Sequence, residues 1–174
     1  MSGKKKVLVA MSGGVDSSVA VKLLLDQGYE CAGATMKLYS NEDIGLEKSK
    51  TCCSLNDVED ARYVAFKLGI DFHVFNFSMD FKEKVIDNFI NTYLQGGTPN
   101  PCIVCNKLLK FGTMLDEALK EGFDYIATGH YARVEKYGNR YNICCHIVKL
   151  LIYKFKIASV ARNASGTDSL LFAE

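Results

Sequence analysis

The order of events between residues 7 and 25 constrains this chain more than any other feature. Val7-Leu8-Val9-Ala10 is a short apolar run, Met11-Ser12-Gly13-Gly14-Val15-Asp16-Ser17-Ser18 is a glycine turn, and Val19 through Leu25 is helical in character. A strand, a glycine turn and a helix in that order build a phosphate site. The glycines let the backbone approach an anion, and successive N–H groups form a concavity that holds it. The new helix directs its positive end into the same space. Ser12, Ser17 and Ser18 can add hydroxyl donors. Asp16 repels a bare phosphate, so its presence makes sense beside a magnesium ion that ties it to phosphate oxygens.

The turn lacks the spacing and the lysine of a P-loop, and it is not G-x-G-x-x-G. A ligand-free strand-to-helix turn capped by Ser or Asp is the competing reading. As a unit, S-G-G-V-D-S-S resembles the PP-loop of ATP pyrophosphatases. These enzymes cleave ATP between the α and β phosphates and adenylate a substrate. They include GMP synthetase, NAD synthetase, argininosuccinate synthase and several tRNA-modifying enzymes, so the loop implies a reaction type and leaves the substrate open.

The rest of the chain alternates strands with helices. Strands are expected over 4–11, 30–38, 70–77 and 124–129. Helices are expected over 15–27, on an apolar face of Val15, Val19, Leu23 and Leu24, and from Ser54-Leu55-Asn56-Asp57 to Leu68. Two more are expected over about 80–95, with Phe81, Val85, Phe89 and Tyr93 near one face, and over 106–121. Residues 39–51 read as an exposed polar loop, and Gly96-Gly97-Thr98-Pro99-Asn100-Pro101 as a break. The alternation predicts an α/β fold, a doubly wound and mostly parallel sheet, with ligand at the carboxyl ends of the strands. The glycine turn, Met36 and Gly129 all fall at such ends.

With 174 residues, 48% of them hydrophobic and 24% charged, the chain suits one globular domain. A net charge of +1 excludes a global basic field. No run approaches membrane-spanning length, and the apolar stretch after Met-Ser-Gly-Lys-Lys-Lys is too short for a secretory signal, so the expected compartment is the cytoplasm. Seven cysteines there argue for thiol chemistry or metal rather than a disulfide framework.

Pro99-Asn100-Pro101-Cys102-Ile103-Val104-Cys105-Asn106-Lys107 is a second chemical motif. Prolines restrict the backbone ahead of two cysteines, and a helix is expected from Asn106. A thiol at a helix N-terminus is favoured as the attacking thiolate, and Lys107 and Lys110 add positive charge. The Cys-x-x-Cys spacing also suits a disulfide or half of a metal site.

The successive stretches S-G-G-V-D-S-S, M-K-L-Y, T-C-C-S-L-N-D-V-E-D-A-R, G-G-T-P-N-P-C-I-V-C-N-K and A-T-G-H-Y-A-R-V resemble the amino-terminal part of the tRNA-specific 2-thiouridylase (MnmA) family, from about Lys4 to Tyr141. The resemblance implies ATP-dependent adenylation of a wobble uridine in tRNA at its C2 oxygen. A cysteine persulfide, loaded by a sulfur-relay protein, then delivers sulfur as AMP leaves. It implies Cys105, directly before Asn-Lys, as the nucleophile. ATP is expected on residues 11–18, with Met36 near adenine and Gly129 closing the site. Asn100, Pro101 and Cys102 are expected to approach the target base, Cys102 standing where many members have Asp.

Other residues carry less. Cys31 and His73 read as structural. His130 is either structural or near ATP, and Arg133 either surface or phosphate-facing. Cys52 and Cys53 read as small buried residues at a helix start, with an iron–sulfur or metal site shared with Cys102 and Cys105 as the lesser reading. The family pattern continues after G-R-Y with K-D-Q-S-Y-F-L, a second cysteine, a central domain and a β-barrel. This chain departs from it near Ile143. Residues 1–142 are therefore expected to be an incomplete PP-loop domain and 143–174 a divergent, truncated or frame-shifted tail. The tail reads as an apolar edge strand ending in a disordered Ala-Ser-Gly-Thr-Asp-Ser. Two other functions stay open: a nucleotide-binding module without catalysis, and a Cys-x-x-Cys redox or metal protein.

Overall fold

Val7, Leu8 and Val9 are completely buried, yet Val7 and Val9 join one core cluster and Leu8 another. A strand buried on both faces belongs to the middle of a sheet covered by helices on both sides. The computed structural model describes residues 4–39, 55–131, 133–137, 140–144, 157–162 and 168–173, with side chains described within 4–39 and 56–130. Strand β1 (Lys6–Ala10) leads into helix α1 (Val15–Asp26), followed by β2 (Glu30–Lys37), α2 (Leu55–Leu68) and β3 (Asp71–Asn76). Then come α3 (Ser78–Phe81), a π-wound stretch Lys82–Ile86 and α4 (Asp87–Leu94). After a break follow α5 (Pro101–Cys105), a second π-wound stretch Asn106–Thr113 and α6 (Met114–Lys120). Strands β4 (Tyr125–Tyr131), β5 (Arg133–Tyr137), β6 (Arg140–Cys144), β7 (Ile157–Arg162) and β8 (Asp168–Ala173) complete the order.

The main sheet runs β3-β2-β1-β4-β7-β8, and β5 pairs with β6 as a separate hairpin. The pairs β1–β2, β2–β3 and β1–β4 are parallel, so the expected doubly wound, mostly parallel architecture is what forms. β7 and β8 add antiparallel. From β1 the chain steps to β2 and β3 on one side and reaches β4 on the other. The crevice between the carboxyl ends of β1 and β4 is thus a topological switch point, where such sheets bind ligands. α1 and α2 cover one face through Ala20, Val21, Leu24, Ala61 and Ala65. The helical run 78–120 covers the other through Val85, Leu109, Met114, Leu115 and Ala118. Asp124 ties β4 to β1: its carboxylate accepts from Lys5 Nζ at 2.9 Å and from the Lys6 N–H at 2.8 Å.

Several expectations are corrected. The buried face of α1 is Ser17, Ala20, Val21 and Leu24, not Val15 and Val19, which are 77% and 45% exposed. Close approach of Ser17 to β4 turns the helix that way. In the 78–94 run Val85 is buried, whereas Phe89 and Tyr93 stack on each other in the open, centroids 6.2 Å apart. The helix after the prolines starts at Pro101, five residues before the expected Asn106, because Asn100 is an N-cap whose side chain accepts from Ile103 N at 3.2 Å. Asp168 and Ser169, expected to be disordered, lie in β8. The 39–51 loop beyond Tyr39, together with Cys52, Cys53, and the apolar run 147–156, lies outside the described residues. Among the described residues no helix is long and apolar enough to cross a membrane.

Candidate functional site

A turn between β1 and α1 must reverse the chain within four residues. Gly13 does this with φ +75°, a left-handed conformation that favours glycine. A Cβ there would also lie 2.6 Å from the Asp57 carbonyl oxygen, so α2 packs directly on the turn. Gly14 is the N-cap of α1, and no side chain caps the helix there. Instead its carbonyl collects the hydroxyls: Ser17 Oγ donates to Gly14 O at 3.0 Å and Ser18 Oγ at 2.9 Å. Ser17 Oγ in turn accepts from Ser12 N at 3.3 Å. The expected hydroxyl contribution to an anion therefore narrows to Ser12, because Ser17 and Ser18 spend their protons holding the turn. Thr35, buried on β2, braces it from below by donating to Met11 O at 2.7 Å.

Gly129 lies where β4 crosses the start of α1. A Cβ on it would sit 2.7 Å from Ser17 N and 2.9 Å from the Asp16 carbonyl carbon. The pairing of β4 with β7 shifts register between Ala127 and Tyr131, a span that includes this glycine. Directly beyond it, His130 Nδ1 is 2.8 Å from Thr128 Oγ1, and the ring packs near Phe111. Partial desolvation, and secondarily the charge of Lys110, push this imidazole below its ordinary pKa.

These elements surround a cavity of about 420 Å³ at the carboxyl end of the sheet. That falls within the roughly 300–1,000 Å³ typical of small-molecule sites. Of the residues expected from sequence, Met11, Ser12, Asp16, Ser17, Met36 and Gly129 line it, and so do Pro101, Cys102 and Cys105. The two motifs, some ninety residues apart in the chain, thus share one chamber. Gly13, Gly14 and Ser18 shape the turn from behind. Val15 faces solvent, and Asn100 acts as the cap of α5. Leu38, Tyr39, Phe81 and Asn106, which sequence reasoning left out of the site, also line it, as do Lys110, expected to add charge near the thiols, and His130, expected to be structural or near ATP. For Leu38 and Tyr39 the signal was available, since both follow the carboxyl end of β2. Phe81 and Lys110 reach the chamber only through the packing of the 78–120 helices.

Cys102 is exposed and stands in the first turn of α5, whereas Cys105 is half-buried at the end of that helix. The argument from a helix N-terminus therefore applies to Cys102 more than to Cys105. Burial pushes the Cys31 thiol up to about 11, which fits its expected core role. His73 is likewise structural, its Nδ1 lying 3.3 Å from Glu121 Oε2 between the rings of Phe75 and Phe123. Among the described residues no three His, Cys, Asp or Glu side chains converge as a metal site, and Cys52 and Cys53 lie outside them.

Residues 5–149 match the family model described as "tRNA methyl transferase HUP domain". The chain is 57% identical over 140 residues to tRNA-specific 2-thiouridylase MnmA 1 of Clostridium botulinum strain Langeland, covering 80% of this chain and 39% of that protein. It is 59% identical over 132 residues to tRNA-specific 2-thiouridylase MnmA of Clostridioides difficile strain 630, covering 76% and 36%. The chain thus spans about two fifths of the length of these curated relatives.

Proposed function

The chain belongs to the tRNA methyl transferase HUP domain family, and from that membership we propose that it carries the adenylating and thiol-bearing part of an ATP-dependent tRNA 2-thiouridylase. The chemistry proposed is sulfur transfer, following the names of the relatives rather than the family label. One observation carries the reading: Met11, Ser12, Asp16 and Ser17 of the glycine-turn motif and both cysteines of the Cys-x-x-Cys motif line a single cavity. A nucleotide-binding module alone has no use for thiols in its chamber, and a redox protein has no use for the turn.

In this reading ATP lies on residues 11–18, with its adenine against Met36 and its phosphates at the uncapped start of α1. Gly129 allows the close crossing that keeps the turn in position. A uridine is presented between Asn100, Pro101 and Cys102 on one side and the nucleotide on the other. Its C2 oxygen attacks the α-phosphorus, the bond to the bridging oxygen breaks, and pyrophosphate leaves. The uridine is then activated, because a poor leaving group has become AMP. Cys105, loaded as a persulfide by a relay protein, attacks the activated carbon through its outer sulfur and AMP leaves; a second thiol then takes the Cys105 sulfur as a disulfide, breaking the S–S bond and freeing the thiolated base. Backbone N–H groups at the turn stabilise the charge that develops on the phosphate. Magnesium fits the residues present. Asp16 is the sole carboxylate among the described cavity-lining residues, and Mg²⁺ is typically held by one or two carboxylates plus substrate phosphates. When bound, it would neutralise phosphate charge.

The domain reading follows the same line, with residues 1–142 as the nucleotide-binding and thiolation unit and 143–174 as a divergent tail, and the reaction belongs in the cytoplasm. The test uses the 174-residue chain with ATP and a tRNA bearing an unmodified wobble uridine. AMP and pyrophosphate should form only with both present, and Asp16→Ala should abolish them. Cys105→Ser should leave AMP formation intact and remove any sulfur transfer from a persulfide donor. ATP binding without pyrophosphate release would favour the non-catalytic module. Bound iron or zinc, or a reversible disulfide, without ATP binding would favour the redox or metal protein.

A further inference from the structure

Cys102, Asn106, Lys110 and Met114 all line the cavity, one in every four residues of the helical run. In an unbroken α-helix each residue turns about 100°, so residues four apart drift by about 40° and Met114 would stand about 120° from Cys102. Asn106–Thr113 is wound as a π-helix, whose bonds reach one residue further and whose residues each turn through less. This winding offsets the drift and keeps Lys110 in file with Cys102 and Asn106. A π-wound stretch is uncommon and concentrates at functional sites, and here its effect is to hold a lysine on the wall of the chamber.

That lysine is half-buried, and among the described residues no carboxylate lies within ion-pair distance of it. A partly desolvated ammonium without a counter-ion is unfavourable unless an anion arrives. Its charge reaches His130, the neighbour of Gly129, which in turn abuts Ser17 at the start of α1. Lys110 and the positive end of α1 therefore converge on one space. Asp16 is the sole carboxylate among the described cavity-lining residues.

We propose that Lys110 is a phosphate-binding residue of this site, its ammonium holding the α-phosphate of the nucleotide from the helical wall of the cavity. This rests on the nucleotide reading given above. The α-phosphate is the one kept in AMP, so the contact serves both the adenylated base and its departure.

The test compares adenosine, AMP and ATP binding to the wild-type chain, Lys110→Met and Lys110→Arg. Lys110→Met should weaken AMP roughly tenfold or more while adenosine stays within about twofold, and Lys110→Arg should keep most of the AMP affinity. Unchanged AMP binding in Lys110→Met overturns the proposal, as does an equal loss for adenosine and AMP, which would mark a structural role. If Lys110→Met does not fold, Lys110→Gln is held to the same criteria. A wild-type chain that binds neither AMP nor ATP sinks the nucleotide reading itself, and this proposal with it.

Discussion

Replacing Gly129 by alanine tests whether the crossing of β4 over α1 sets the geometry of the chamber. The added Cβ would lie 2.7 Å from Ser17 N, 2.9 Å from the Asp16 carbonyl carbon and 3.0 Å from Ser17 Cα. All three neighbours are backbone, so no rotamer change relieves the clash. Reaching an ordinary contact of 3.4 Å requires β4 and the first turn of α1 to part by about 0.7 Å. Overpacking of this kind costs about 1–3 kcal/mol. For a chain of this size that lowers Tm by roughly 2–12 °C. The displaced segment carries Asp16 and the N–H groups at the start of α1, so AMP formation should fall by roughly an order of magnitude or more. Gly122→Ala is the control. Gly122 has φ +85° and nothing lies within 4 Å of where its Cβ would stand, so the substitution carries conformational strain of about 1–2 kcal/mol without displacing the site. Thermal unfolding and nucleotide binding of both variants decide the matter. If Gly129→Ala melts within about 1 °C of wild type and binds ATP equally well, the crossing is not a constraint and the reasoning fails.

Three further outcomes are expected. The Lys5 ammonium and then the Lys6 N–H hold the Asp124 carboxyl below its ordinary pKa of 3.8. Its contribution to stability is therefore present above that value and lost as pH falls through the depressed one. Asp124→Asn should cost under about 1 kcal/mol at pH 7, the pair being exposed, and the difference from wild type in urea melts should close in acid; a constant difference would assign the effect to packing. His130 should titrate below the usual 6.5, because burial and then Lys110 disfavour its charge, and Lys110→Met should move it upward, as followed by NMR of the imidazole protons. A native value at or above 6.5 would place the ring outside the chamber. Leu109, fully buried on the π-wound stretch, should lose about 2–5 kcal/mol on truncation to Ala. Leu108→Ala, beside it and 38% exposed, should lose far less; equal losses in denaturant melts would mean the helix faces are misassigned.

Much of the fold was legible because it rests on local pattern. The apolar runs at Val7–Ala10 and Glu30–Lys37, and the glycines at 28, 69 and 122 where helices end, punctuate the chain at single-residue scale. The glycine turn was legible for the same reason: a left-handed residue packed against backbone, as Gly13 is, favours glycine. Helix faces were less legible. Val15 and Val19 are apolar but exposed, because the side of α1 that meets the sheet is chosen by the contact of Ser17 with Gly129, more than a hundred residues away. The start of α5 was misread because an Asn-Pro pair serves equally as a turn or as a cap, and only the bond from Ile103 N distinguishes them.

Sequence alone determined the alternation of strands and helices, the glycine-rich strand-to-helix turn and the residue types of the thiol motif, all properties of short segments. Tertiary structure alone decided that the turn and the thiols share one cavity, that the Ser17 and Ser18 hydroxyls bond back to Gly14, and that Lys110 stands on the wall. The reason is physical. Backbone hydrogen bonding and hydrophobic period act within a few residues and leave their mark there. The side of a helix that meets a cavity depends on how distant segments pack and on local winding, which no short stretch encodes.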